Sequence, residues 1–262
     1  MSKHVLRIIT ALFIFSLPTL SCTSHDGGKP IRTEDYRETI RIACIGDSIT
    51  YGASIKNRTK DSYPAQLGRM LGDEWQSRNF GVGGATLLKN GDRPYFNQQA
   101  FKDALAYNPN VVIIKLGTND TKPQNWKFND RFATDYADMI DRFTELPSNP
   151  RIWICKPVPA YGDRWGISET IVKNEVLPLI NQIARNKHIP VIDLFTPLSD
   201  KPELFPDRIH PNAEGAHGIA AEIYASLTGR PWTAEFEPAH LSQVLIIGDS
   251  ISIGYFKPLQ KR

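Results

Sequence analysis

Val111-Val112-Ile113-Ile114-Lys115-Leu116, running into Gly117-Thr118-Asn119-Asp120, is the stretch that decides how this chain is read. The run is dominated by β-branched apolar residues, Val111 to Ile114, which marks a strand buried on both faces. Working outward, Ile42-Ala43-Cys44-Ile45, Ser77 to Phe80, Arg151 to Cys155 and Pro190 to Leu194 read as four more strands. Helical patterns alternate with them. Tyr63 to Leu71 has Ser62 as its N-cap and Pro64 in its first turn. Phe96 to Tyr107 follows, and Asp130 to Phe143 shows helical spacing through Phe132, Tyr136, Met139, Ile140 and Phe143. Glu169 to Asn186 is a helix that Pro178 bends, and Ala213 to Leu227 is the last. Strands alternating with helices make βαβ units, hence an α/β domain with a parallel sheet covered on both faces.

Sites in such sheets lie beyond the carboxyl ends of the strands. Four polar blocks fall there in a fixed order. Gly46-Asp47-Ser48-Ile49 follows the first strand and Gly81-Val82-Gly83-Gly84-Ala85-Thr86 the second. Gly117-Thr118-Asn119-Asp120 follows the third. Asp207-Arg208-Ile209-His210 lies between the last strand and the last helix. Together they hold what ester hydrolysis needs. Ser48, on a strand-to-helix turn, exposes a nucleophilic hydroxyl and aims its own N–H at a developing oxyanion. His210 takes the hydroxyl proton and returns it to the leaving alcohol. Asp207, three residues earlier, orients the imidazole. Gly84 offers a backbone N–H with no side chain in the way, and Asn119 offers an amide. Asp47 reads as a structural residue that bonds nearby backbone. His188 and His217 lie in no block and read as surface or packing residues. The glycines of the second block lack the third spaced glycine of a dinucleotide loop. No His-Glu-x-x-His or paired Cys-x-x-Cys is present to hold a metal.

This set of blocks resembles the SGNH (GDSL) hydrolase family, from about Ile40 to Leu227. The resemblance implies a flavodoxin-like three-layer α/β/α fold around a five-stranded parallel sheet. It also implies a serine esterase with no metal and no cofactor, its triad Ser48, Asp207 and His210 and its oxyanion hole the Ser48 and Gly84 N–H groups with Asn119. The family acts on esters of small acyl groups or lipids. Three aromatics sit in loops on the active edge: Trp126, Tyr161 and Trp165. Rings there can stack on sugar faces, and no long apolar lid is present to house a fatty chain. The favoured substrate is therefore an acylated small molecule or glycan, with removal of acetyl groups from a polysaccharide the leading expectation. A lysophospholipase or thioesterase is the alternative enzyme, and a catalytically dead glycan-binding module the alternative of another class.

The termini carry a different message. The chain has 262 residues, and its formal charge is +3. Lys3 and Arg7 supply two of those charges within an N-terminal export signal, so nothing suggests nucleic acid as a partner. Ile8 to Leu17 is a short apolar run, and Pro18-Thr19-Leu20-Ser21-Cys22 follows. Cys22 after a small residue resembles a bacterial lipoprotein signal, with Thr19 where such signals prefer Leu. The expectation is signal residues 1–22, lipid on Cys22 as the sole membrane attachment, and a polar tether over 23–38. The hydrolase domain then covers 39–232. The tail, 233–262, repeats the first strand and serine block: Val244-Leu245-Ile246-Ile247-Gly248-Asp249-Ser250-Ile251 matches Ile42 to Ile49 almost position for position. That self-similarity reads as the truncated start of a second domain of the same kind. Cys44 and Cys155 fall in strands separated by a third, so no disulfide is expected between them.

Overall fold

The computed structural model describes residues 28–233. The expected signal residues 1–22, Cys22 among them, and the whole repeat from Val244 to Ile251 lie outside the described residues. Five strands form one sheet: β1 (Ile40–Gly46), β2 (Trp75–Gly81), β3 (Val111–Lys115), β4 (Arg151–Lys156) and β5 (Val191–Asp193). Every pairing is parallel, and the order is β2-β1-β3-β4-β5. The connections are helices: α1 (Tyr63–Leu71), α2 (Gln99–Ala106), α3 (Phe132–Thr144), α4 and α5 (Ala213–Thr228). Helix α4 begins at Glu169–Ile171, widens through a π turn at Val172–Val176 and continues as Leu177–Lys187.

The period-two alternation of the strands sorts the core into two layers. Ile40, Ile42, Cys44, Val111, Ile113, Trp153 and Cys155 face α1 and α5. Ala43, Ile45, Val112, Ile114, Ile152 and Ile154 face α2, α3 and α4. The molecule is thus a three-layer α/β/α fold. Each fully buried Val or Ile in these rows contributes about 1.5–3 kcal/mol of apolar burial. Cys44 and Cys155 are buried free thiols on one face of the sheet.

Three details differ from the sequence expectation. Residues 96–107 do not form one helix: Tyr95–Asn97 is a 3₁₀ turn after Pro94, and Gln98 is extended before α2 starts. Pro178 does not simply bend α4. It has no N–H for the helical ladder, and the π turn sits directly before it. Part of the stretch expected as tether packs on the domain. Ile31 is buried in the α1/α5 layer, and its N–H donates to the Leu227 carbonyl at 2.7 Å.

Candidate active site

The serine turn is built by close approach. Strand β1 ends at Gly46, where a Cβ would overlap the Thr50 hydroxyl and stand 2.7 Å from the Lys115 carbonyl oxygen. Asp47 is extended and caps a one-turn helix, Ser48–Tyr51, its Oδ1 accepting the Ile49 N–H at 2.9 Å. Ser48 is left part-exposed between buried Asp47 and Ile49. Its N–H stands at the amino end of that turn.

His210 reaches Ser48 from the loop that precedes the last helix, 162 residues along the chain. Its Nε2 lies 2.8 Å from Ser48 Oγ, and its Nδ1 lies 2.8 Å from Asp207 Oδ2. Asp207 is fixed by its own turn: Oδ1 accepts the N–H groups of Ile209 (3.0 Å) and His210 (2.7 Å). Arg208, at φ 71°, takes the left-handed conformation that turns the chain between them. The Ser54 hydroxyl donates to Asp207 Oδ2 at 3.0 Å. Burial pushes the Asp207 carboxyl up, but the hydrogen bonds from the His210 N–H and ring and the Ile209 N–H outweigh it. Its pKa ends below the ordinary carboxylate value. A charged Asp207 suits an imidazole that must become a cation.

The oxyanion candidates come from two loops tied to the serine strand and to each other. The Val82 N–H donates to the Gly46 carbonyl at 2.9 Å. Of the adjacent glycines, Gly84 is the one in the left-handed region, at φ 74°. Asn119 Nδ2 donates to the Ala85 carbonyl at 3.2 Å, which leaves its second N–H free to act. Among the described residues, neither the Ser48 nor the Gly84 N–H is given to another protein group.

Two supports were not legible as such. Asp120 is fully buried and clamps the glycine loop, accepting the N–H groups of Leu88 (2.7 Å) and Leu87 (3.1 Å). Burial raises its pKa to about 7, with those N–H bonds pulling the other way and the Asp47 charge adding a smaller push upward. Lys115, passed over inside an apolar strand, is also fully buried. Its ammonium donates to Asp47 Oδ1 at 3.1 Å and Oδ2 at 3.2 Å. The signal was present: a lysine in a strand covered on both faces needs an anionic partner.

The three loop aromatics separate. Trp126 is buried against Phe132, and its indole N–H donates to Glu175 at 2.9 Å, so it is a packing residue rather than a substrate contact. Tyr161 stacks on Phe205 at 5.1 Å, and its hydroxyl donates to the Leu198 carbonyl and accepts the Lys201 N–H, so it too is committed to local packing. Only Trp165 is displayed, 56% exposed, its ring 5.6 Å from the His210 ring. His217 bonds Gln66 at 3.0 Å and His188 closes α4 in the left-handed conformation; neither belongs to the site. No group of three or more His, Cys, Asp or Glu with metal-binding proximity occurs among the described residues.

A doubly covered parallel sheet with a Ser-His-Asp chain at its carboxyl edge is the arrangement shared by hydrolases of the SGNH type. The chain belongs to the GDSL-like lipase/acylhydrolase family, whose model matches residues 44–217 and so spans all four blocks. It is similar to an acetylxylan esterase of Xylanibacter ruminicola, 40% identical over 208 residues. That match covers 72% of this chain and 43% of the relative, so the chain spans less than half of that protein. A lipase/acylhydrolase from Enterococcus faecalis has the same fold, with a TM-score of 0.60 at 22% identity over 74% of this chain and 100% of the other. A two-domain esterase active on acetylated mannans gives a TM-score of 0.55 at 20% identity, covering 72% of this chain and 48% of that one.

Proposed function

We propose that this protein is a serine esterase that removes acetyl groups from a polysaccharide or sugar. The observation that carries the reading is the unbroken hydrogen-bonded chain Ser48–His210–Asp207, set beside two unengaged backbone N–H groups. In acylation, His210 Nε2 takes the Ser48 hydroxyl proton as Oγ attacks the ester carbonyl. The tetrahedral oxyanion is held by the Ser48 and Gly84 N–H groups and the Asn119 amide. Collapse breaks the C–O bond to the alcohol, and His210 returns the proton to that oxygen. A water, deprotonated by the same imidazole, then hydrolyses the acetyl-serine and releases acetate. Asp207 stays ionised throughout and stabilises the imidazolium.

The similarity to an acetylxylan esterase supports acetyl as the acyl group and a glycan as the alcohol. A lipid anchor at Cys22 belongs to the same proposal, because it places the enzyme outside the cell membrane, where polysaccharides are met. Mass spectrometry of the membrane-extracted protein checks it: an N-terminal peptide starting at Cys22 without acyl mass refutes the anchor. The activity is tested by acetate release from acetylated xylan, together with acetyl, butyryl and octanoyl p-nitrophenyl esters. Acetyl is expected to be fastest. A preference for octanoyl makes the protein a lysophospholipase-like or thioesterase-like enzyme instead, and turnover of none of the esters favours the dead glycan-binding module.

A further inference from the structure

Residues Arg164-Trp165-Gly166-Ile167 form a two-residue hairpin. The Arg164 and Ile167 backbones exchange both hydrogen bonds, at 3.2 and 2.9 Å. The central residues sit at φ 51° and φ 79°. Such a turn with positive φ at both positions calls for Asn-Gly or Gly-Gly. A tryptophan in the first position is a bulky L-residue in a conformation it disfavours. Nothing hydrophobic offsets that, because Trp165 is more than half exposed.

The hairpin is held rigidly, and between the two halves of the site. Ile167 is buried with Ile209 of the histidine turn. The Ser168 N–H donates to Thr121 Oγ1, two residues beyond Asn119, at 3.1 Å. A Cβ on Gly166 would touch Lys122 and Pro123 at 3.6 Å. Strain retained at one exposed side chain, on a rigid mount beside a reactive group, points to a use for that side chain.

The position of the ring says what it meets. His210 hands its proton to the leaving alcohol, so whatever lies against the imidazole on its open side is the alcohol half of the ester. The acyl half lies toward the oxyanion donors. Trp165 is 5.6 Å from His210, with planes inclined at 41°. The Arg164 guanidinium sits 4.7 Å from the centre of the same indole. We infer that Trp165 is the stacking wall for the sugar ring that carries the ester, and so selects acetylated carbohydrates by their alcohol rather than their acyl group. This rests on the esterase reading above.

The test compares wild type with Trp165→Asn, which suits the turn, and Trp165→Phe, which keeps a ring. Each is assayed for acetate release from ethyl acetate and from acetylated xylo-oligosaccharides. Trp165→Asn is expected to raise KM on the oligosaccharide about 10-fold, the loss of one stacking contact. The loss on the oligosaccharide should exceed the loss on ethyl acetate, whose alcohol carries no ring, by at least about 5-fold, and the unfolding midpoint should be no lower than wild type. Trp165→Phe should recover most of the oligosaccharide KM. Equal losses on both substrates would show that the indole acts through His210, and an unchanged oligosaccharide KM would show that it contacts no sugar; either overturns the inference. A wild type active on ethyl acetate but on no acetylated oligosaccharide also overturns it, while leaving the esterase intact. A wild type silent on both refutes the esterase reading itself.

Discussion

Lys115→Met removes one member of a fully buried ion pair while nearly conserving the side chain's volume. Both groups are at 0% exposure, and both Asp47 oxygens face the ammonium at 3.1–3.2 Å. With the lysine gone, the Ile49 N–H is the carboxylate's remaining donor among the described residues. Breaking a buried pair in this way costs about 3–5 kcal/mol, against a total stability of about 5–15 kcal/mol for a domain. For a domain of this size that is a fall of roughly 6–20 °C in the melting temperature. Asp47→Asn in the same background removes the stranded charge and keeps an oxygen to cap Ile49. The double variant should therefore regain at least about 2 kcal/mol over Lys115→Met alone. Urea unfolding followed by far-UV circular dichroism reads all three proteins. A Lys115→Met loss below about 1 kcal/mol, or a double variant no more stable than the single, refutes the claim that this pair anchors the serine turn.

Asn119→Ala should cut kcat by roughly 10²–10³ with little change in KM on p-nitrophenyl acetate, since an oxyanion donor acts mainly in the transition state; a neutral result removes Asn119 from the hole. Asp120 gives a pH signature. Its folded pKa of about 7 lies above the ordinary carboxyl value of 3.8, so the folded state holds the extra proton between those values and the Asp120 contribution to stability falls as pH rises through that window. The stability difference between wild type and Asp120→Asn, measured by urea titration from pH 4 to 8, should shift against wild type across that range and level off above it; a flat difference contradicts the burial-raised carboxyl. Asp207 has the opposite sign: its lowered pKa adds stability that is complete above the ordinary carboxylate range and is lost as pH falls through the folded value. Relative to Asp207→Asn, wild type should therefore lose its advantage in acid, and an advantage that grows as pH drops refutes the hydrogen-bond account.

What the sequence made legible follows the physics of each element. The central strands were readable because burial on both faces leaves nearly continuous apolar runs, and β3 carried that signal most clearly, whereas β2, at the sheet edge, is largely polar and part-exposed. Helix α1 ends where its Ser62 and Pro64 signals and its apolar spacing place it. The break at Gln98 was hidden because Phe96, Ala100 and Ala104, four residues apart, keep helical spacing across it. The site blocks were readable since polar residues after a strand's carboxyl end converge whatever their separation in the chain. Asp207 and His210 sit 153 or more residues from the serine turn they meet, and only the sheet order brings them there. Long-range polar pairing was not legible. Lys115–Asp47 and Asp120 with the Leu87 and Leu88 amides depend on register between loops, which no local pattern encodes. Nor was the division among the aromatics, because Trp126 and Trp165 are alike in composition and differ only in what packs over them.

The central claim is that Ser48 is the nucleophile, and an active-site-directed fluorophosphonate tests it most directly. After reaction with wild-type protein, peptide mass mapping should locate one adduct per chain, on the peptide that contains Ser48. His210→Ala should suppress that adduct by orders of magnitude, because the hydroxyl loses its base. An adduct on Ser250 or any other serine, labelling that persists at the wild-type rate in His210→Ala, or no labelling at all would contradict the account.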